Sequence, residues 1–116
     1  MNTRPLQPGH LIVGAFMACF ANNASACEPV WVRPLDVARY KSVILGQVEA
    51  VDWFRGLITV APIKAIIGKP VRVAVHYNNV PLTCAWQTFR AGERVYVFDF
   101  EWAAPVADVT FDPPVR

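Results

Sequence analysis

The chain has 116 residues, enough for one domain, with 54% hydrophobic and 17% charged residues. That balance excludes an intrinsically disordered chain. A formal net charge of +2 is too small to announce a nucleic-acid or membrane-surface partner. Ten prolines and six glycines exclude a protein of long helices, and three cysteines with two histidines leave little material for a metal cage.

The N-terminus reads as an address. Arg4 precedes an apolar run from Leu11 to Ala21, which is about half the length a bilayer-spanning helix needs. Asn22-Asn23 and then Ala24-Ser25-Ala26 follow it. A charged start, an apolar middle and small residues at the exit are the features of a signal peptide. We therefore expect residues 1–26 to be a signal peptide and 27–116 to be the domain, delivered to the periplasm or secreted, with no stable membrane span.

Export gives the cysteines a meaning. Cys19 leaves with the leader, and Cys27 and Cys84 arrive in an oxidising compartment, where one disulfide between them is the simple expectation. It would close a loop of roughly sixty residues, worth about 4 kcal/mol in the chain-entropy model. The competing reading is a lipid anchor on the Cys27 sulfur, which would exclude the disulfide. Ala24 stands where a lipoprotein signal usually has Leu, and Cys84 would be left as a lone thiol.

The domain then reads as short strands. Pro29 and Pro34 keep its start extended, and Leu35 to Tyr40 is expected to make one or two helical turns, with Asp36 near their start. Ser42 to Val51 alternates, with Ile44, Gly46, Val48 and Ala50 on one face, and Gly46 in mid-strand predicts a bulge or bend. Leu57 to Ile67 is a second strand, and Pro62 must lie at an edge or a bulge because it has no N–H for a ladder. Val71 to Tyr77 alternates again. Glu93 to Glu101 forms a fourth strand, with Val95, Val97 and Asp99 opposite Tyr96, Phe98 and Phe100. Val106 to Phe111 reads as a weaker fifth. Five short strands with little helix predict an all-β fold, a small curled barrel that hides its own edges.

Taken in order, Cys27, the helical turn, Val43-Ile44-Leu45-Gly46-Gln47-Val48, Ile66-Ile67-Gly68-Lys69-Pro70, Cys84 and Phe89-Arg90-Ala91-Gly92-Glu93-Arg94-Val95-Tyr96-Val97 resemble the netrin-like family. That family includes the tissue inhibitors of metalloproteinases and bacterial secreted proteins of unknown role. The resemblance implies a five-stranded OB-like β-barrel with a disulfide from the N-terminal Cys. Ala85 stands where the bacterial relatives often have Gly, and a further Cys pair near the start and end is missing here. In the inhibitors, the α-amine and carbonyl of the N-terminal Cys chelate the enzyme's zinc, so the matching group here is the Cys27 amine. The inhibitors continue with a small polar residue and a second Cys. Glu28 and Pro29 stand there instead, and Glu28 would present a carboxylate to the specificity pocket.

Catalytic candidates are sparse. His76 is the only histidine of the mature chain and falls on the polar face of an alternating strand. Ser42 is its only serine and lies outside any nucleophile-elbow context. A small hydrolase using His76 is thus an alternative without a second motif to support it. No cofactor, metal site or phosphate-cradling loop is expected. The aromatics Trp31, Trp53, Phe54, Trp86, Phe89 and Trp102 fall in expected loops or strand ends. OB-folds use such residues to stack ligands, although Trp86 and Phe89 serve equally well to plug the barrel beside Cys84.

These readings converge on a non-catalytic binding domain. Its partner would be a protein or an envelope component, taken through Cys27, Glu28, Trp31, Trp86 and Phe89. The intact mass of the exported protein checks the premise. A chain beginning at Cys27 and lacking two hydrogens is expected, and an added lipid mass would select the anchor instead.

Overall fold

The computed structural model describes residues 29–115. The leader expected over residues 1–26, together with Cys27 and Glu28, lies outside the described residues. The rest is an all-β chain. Five antiparallel strands, β1 (Val43–Asp52), β2 (Leu57–Ile67), β3 (Val73–His76), β4 (Arg94–Phe98) and β5 (Trp102–Pro105), form one sheet in the order β3-β2-β1-β4-β5. The edges β3 and β5 approach each other but share no ladder. Among the described residues, the helical elements are 3-10 turns at Val30–Val32, Val37–Arg39 and Val106–Asp108. No helix there is long and apolar enough to cross a membrane.

The β1–β2 pair is bent by its own sequence. Gly46 faces Pro62, Leu45 faces Lys64, and Ile63 between them is an extra residue on β2. Two more register shifts fall between Val43 and Ile44 and between Val48 and Ala50. Each bulge bends and coils the pair. Gly46 is required at the bend, because a Cβ there would run into Val60 Cγ1 and stand 2.8 Å from the Ala61 carbonyl oxygen. Pro62 is tolerated because β3 pairs only with Leu57 to Val60, which leaves the outer edge of β2 unpaired beyond that point.

Both faces of the sheet are covered. On the inner face, Ile44, Val48, Ile58, Val60, Val75, Val95, Val97 and Ala103 pack around Phe89. On the outer face, Leu35, Val43 and Phe98 are buried beneath Trp31, Tyr40, Tyr96, Trp102 and Phe111. Phe98 is fully buried and stacks on Trp102 with ring centroids 4.1 Å apart, while Tyr40 lies 4.9 Å from it. The chain ends meet over this face. The Leu35 N–H donates to the Thr110 carbonyl at 2.8 Å, and the Asp112 N–H donates to the Leu35 carbonyl at 2.9 Å.

The expected helical stretch is a single 3-10 turn, Val37–Arg39, capped by Asp36, whose side chain accepts from the Ala38 N–H at 3.0 Å. Two of the expected strands need correction. The fourth strand stops at Phe98, because Asp99 and Phe100 take positive φ values of 52° and 59° and turn the chain into β5. The Asp99 carboxylate holds that turn by accepting the Lys41 and Ser42 N–H groups at 2.8 and 3.0 Å. The fifth strand lies earlier than expected. It is Trp102–Pro105, and Val106–Asp108 is a 3-10 turn. β5 pairs Phe98 with Trp102 and Val95 with Pro105, so the close turn at Asp99-Phe100 sets its register.

Replacing Gly46 with Ala tests the bend. The added Cβ meets backbone as well as a side chain, so a loss of about 2 kcal/mol in unfolding free energy is expected, read from denaturant titration.

Candidate functional site

The chain ends and the β3–β4 loop build a cleft on one side of the sheet. Trp31 sits in the first 3-10 turn, half-buried, and stacks on Trp102 at 5.7 Å with 27° between the rings. Trp86 is 43% exposed in the loop after β3. That loop is tied down by hydrogen bonds. The Gln87 N–H donates to the Asn78 carbonyl at 3.0 Å, the Gln87 side-chain amide donates to the Ala103 carbonyl at 2.8 Å, and the Trp86 N–H donates to the Thr83 carbonyl at 3.3 Å. Ala85 takes a φ of 55°, which turns the chain between Cys84 and Trp86. The resulting cleft, about 270 Å³, is lined by Pro29, Trp31, Trp86, Gln87, Thr88, Pro105 and Asp108.

Two of the residues expected at a binding surface, Trp31 and Trp86, therefore share one opening. Phe89 does not join them. It is 7% exposed and packs edge-on against Tyr77 at 5.1 Å, inside the inner core. Its place is structural, as a plug beneath the loop that carries Trp86. Cys27 and Glu28 lie outside the described residues, directly before Pro29 on the cleft wall.

Sequence reasoning missed Gln87, Thr88, Pro105 and Asp108. Asp108 falls within the expected strand Val106 to Phe111, whereas the turn Val106–Asp108 carries it to the cleft. Pro105 gives no local warning of this, since it closes β5 opposite Val95 and the turn begins only after it.

The catalytic candidates are far apart. Ser42 is buried just before β1, and Val43 pairs with Ile67, at the far end of β2. His76 is exposed and pairs with Leu57, at the opposite end of that strand. The length of β1 puts on the order of 30 Å between them. Among the described residues, no group of three or more His, Cys, Asp or Glu side chains is placed to hold a metal ion.

Two tyrosines carry shifted acidities. Burial, and secondarily the charge of Asp99, raises the Tyr40 hydroxyl above its ordinary value, with Arg39 opposing. Burial, and secondarily Asp52, raises that of Tyr77.

No family model, curated protein or solved structure matches the chain.

The raised tyrosines predict alkaline sensitivity. A phenol whose folded pKa exceeds its unfolded value holds its proton longer when folded. Its stabilising contribution is complete below pH 10 and is lost as pH rises through the folded value. Unfolding free energy is expected to fall above about pH 10, and a Tyr40→Phe, Tyr77→Phe double variant should show a shallower fall in the same titration.

Proposed function

We propose that this chain is an exported, non-catalytic binding domain that uses the Trp31–Trp86 cleft to hold a protein or an envelope component. In this reading the sheet curls into an OB-like barrel, as in the netrin-like family. The strand order, the three bulges between β1 and β2 and the approach of β3 to β5 support the curl. A Cys27–Cys84 disulfide would join the start of the domain to the loop that carries Trp86, and so brace both walls of the cleft.

The observation that carries the reading is the convergence of Trp31 and Trp86 on one opening, with Thr88 and Asp108 as polar groups on its rim. Tryptophans of this kind, apolar in body and with one N–H donor, are enriched among residues that dominate binding energy. At about 270 Å³ the cleft is smaller than a typical small-molecule site of about 300–1,000 Å³. It suits a protruding group of a larger partner better than an engulfed metabolite.

Trp86 is the residue to change, because Trp31 also supports the outer core through Trp102. Envelope extract passed over the immobilised protein and over its Trp86→Ala variant should give a specific captured component with about tenfold weaker retention on the variant. Equal retention by both, or no specific capture, would overturn the cleft. Inhibition of a zinc protease by the mature protein, abolished by acetylating its N-terminus, would select the inhibitor-like use of Cys27. Hydrolytic turnover lost in His76→Ala would select the hydrolase.

A further inference from the structure

A second surface lies away from that cleft, where β1 turns into β2 and β3 runs into its following loop. Trp53 and Phe54 occupy the β1–β2 turn at 55% and 90% exposure, and Val80 and Leu82 occupy the neighbouring loop at 53% and 93%. Exposure this high means that Leu82 touches almost nothing of its own chain and that Phe54 meets little beyond Trp53. Folding does not account for them.

The loops are held firmly together. The Asn79 side-chain amide donates to the carbonyls of Trp53 and, at 3.4 Å, Phe54. The Tyr77 N–H donates to the Gly56 carbonyl at 2.8 Å. Asn78 accepts from the Val80 N–H at 3.0 Å, and the Thr83 hydroxyl donates to the Val80 carbonyl at 2.7 Å. Trp53 and Phe54 pack edge to face at 5.5 Å. Leu82 is presented from a left-handed backbone, φ 63°, an unfavourable conformation for a leucine whose side chain gains no packing. Strain maintained at an exposed apolar tip points to use of that tip.

From this geometry we infer that the Trp53–Phe54 and Val80–Leu82 tips form a lipid-contact surface that enters the headgroup boundary of a bilayer. Size and shape favour a bilayer over a protein partner. The four side chains together expose roughly 500 Å², well under the about 800 Å² per partner of a standard protein interface. They are protruding tips, and none of them lines the Trp31–Trp86 cleft. Phe54 and Leu82 have the character of side chains that enter the acyl boundary, and the indole of Trp53 suits the headgroup layer. Arg55, next to Phe54 in sequence, has a side chain 79% exposed and a 3.6 Å contact with Asp52, so a cation flanks the tip, of the kind that lipid phosphates attract.

The test uses the full protein with vesicles of equal parts phosphatidylethanolamine and phosphatidylglycerol carrying brominated acyl chains. Indole quenching is expected on vesicle addition, and a Trp53→Phe variant should lose a distinct part of it. A Phe54→Ser, Leu82→Ser double variant should partition about tenfold more weakly, with a nearly unchanged unfolding midpoint because neither side chain belongs to a buried core cluster. A chain held on vesicles by its N-terminus alone leaves Trp53 in water. Quenching that is the same in wild type and Trp53→Phe would therefore overturn the inference, as would equal partitioning of the double variant. Concentration-dependent dimerisation in the absence of lipid, abolished by the double variant, would assign the surface to a second copy of the chain and overturn it too.

Discussion

A single sheet has two faces, and both must leave water. Among the described residues the helical elements are 3-10 turns, too short to cover either face. The inner face packs around Phe89 from the β3–β4 loop, and the bulges between β1 and β2, which Gly46 makes sterically feasible, bend the strands that carry it. The outer face is covered by the two ends of the domain, which meet at the Leu35–Phe111 bridge above Phe98. A side chain at Gly46 would disturb the first solution, and a parting of the chain ends would undo the second.

The candidate cleft is a by-product of the second solution. The ends are drawn over Phe98 and Trp102 because those rings must be buried, and this places Trp31 and Asp108 opposite the loop bearing Trp86. The rigidity of that loop comes from side-chain amides. Asn78 and Gln87 supply hydrogen bonds where no strand pairing is available. A cleft formed in this way is preorganised without a large core beneath it, which lowers the ordering cost of holding a partner.

The apolar tips follow a different logic. The inner core is complete without Phe54 and Leu82, and the loops that carry them are braced by Asn79 rather than by packing. Buried side chains in this protein answer to the sheet, while these two answer to something outside it. The two surfaces have separate side chains but share the β3–β4 loop, where Asn78 and Thr83 hold both Val80 and the segment bearing Trp86.

Much of the sheet was legible in the chain itself. Ile44, Val48, Val95, Val97 and Val75 alternate with more polar or oppositely facing neighbours, and period-two alternation shows directly which face each residue takes. Gly46 and Pro62 announced the bend, because one lacks a side chain and the other an N–H. The end of β4 and the place of β5 were not legible. Asp99 and Phe100 continue the alternating pattern, and they leave it only because the Asp99 carboxylate finds two amide groups nearly sixty residues earlier in the chain. The same distinction separates Phe89 from Trp86. Both are aromatic residues of one loop, and local sequence gives each an equal claim to the surface. Phe89 is buried because Tyr77 and the inner core stand beneath it, and Trp86 is left open because Pro29, Trp31 and Asp108, from segments far away in sequence, line the cleft across from it. Periodicity is a local property and can be read along the chain, whereas a partner's position is set by contacts between distant segments and exists only once the chain has folded.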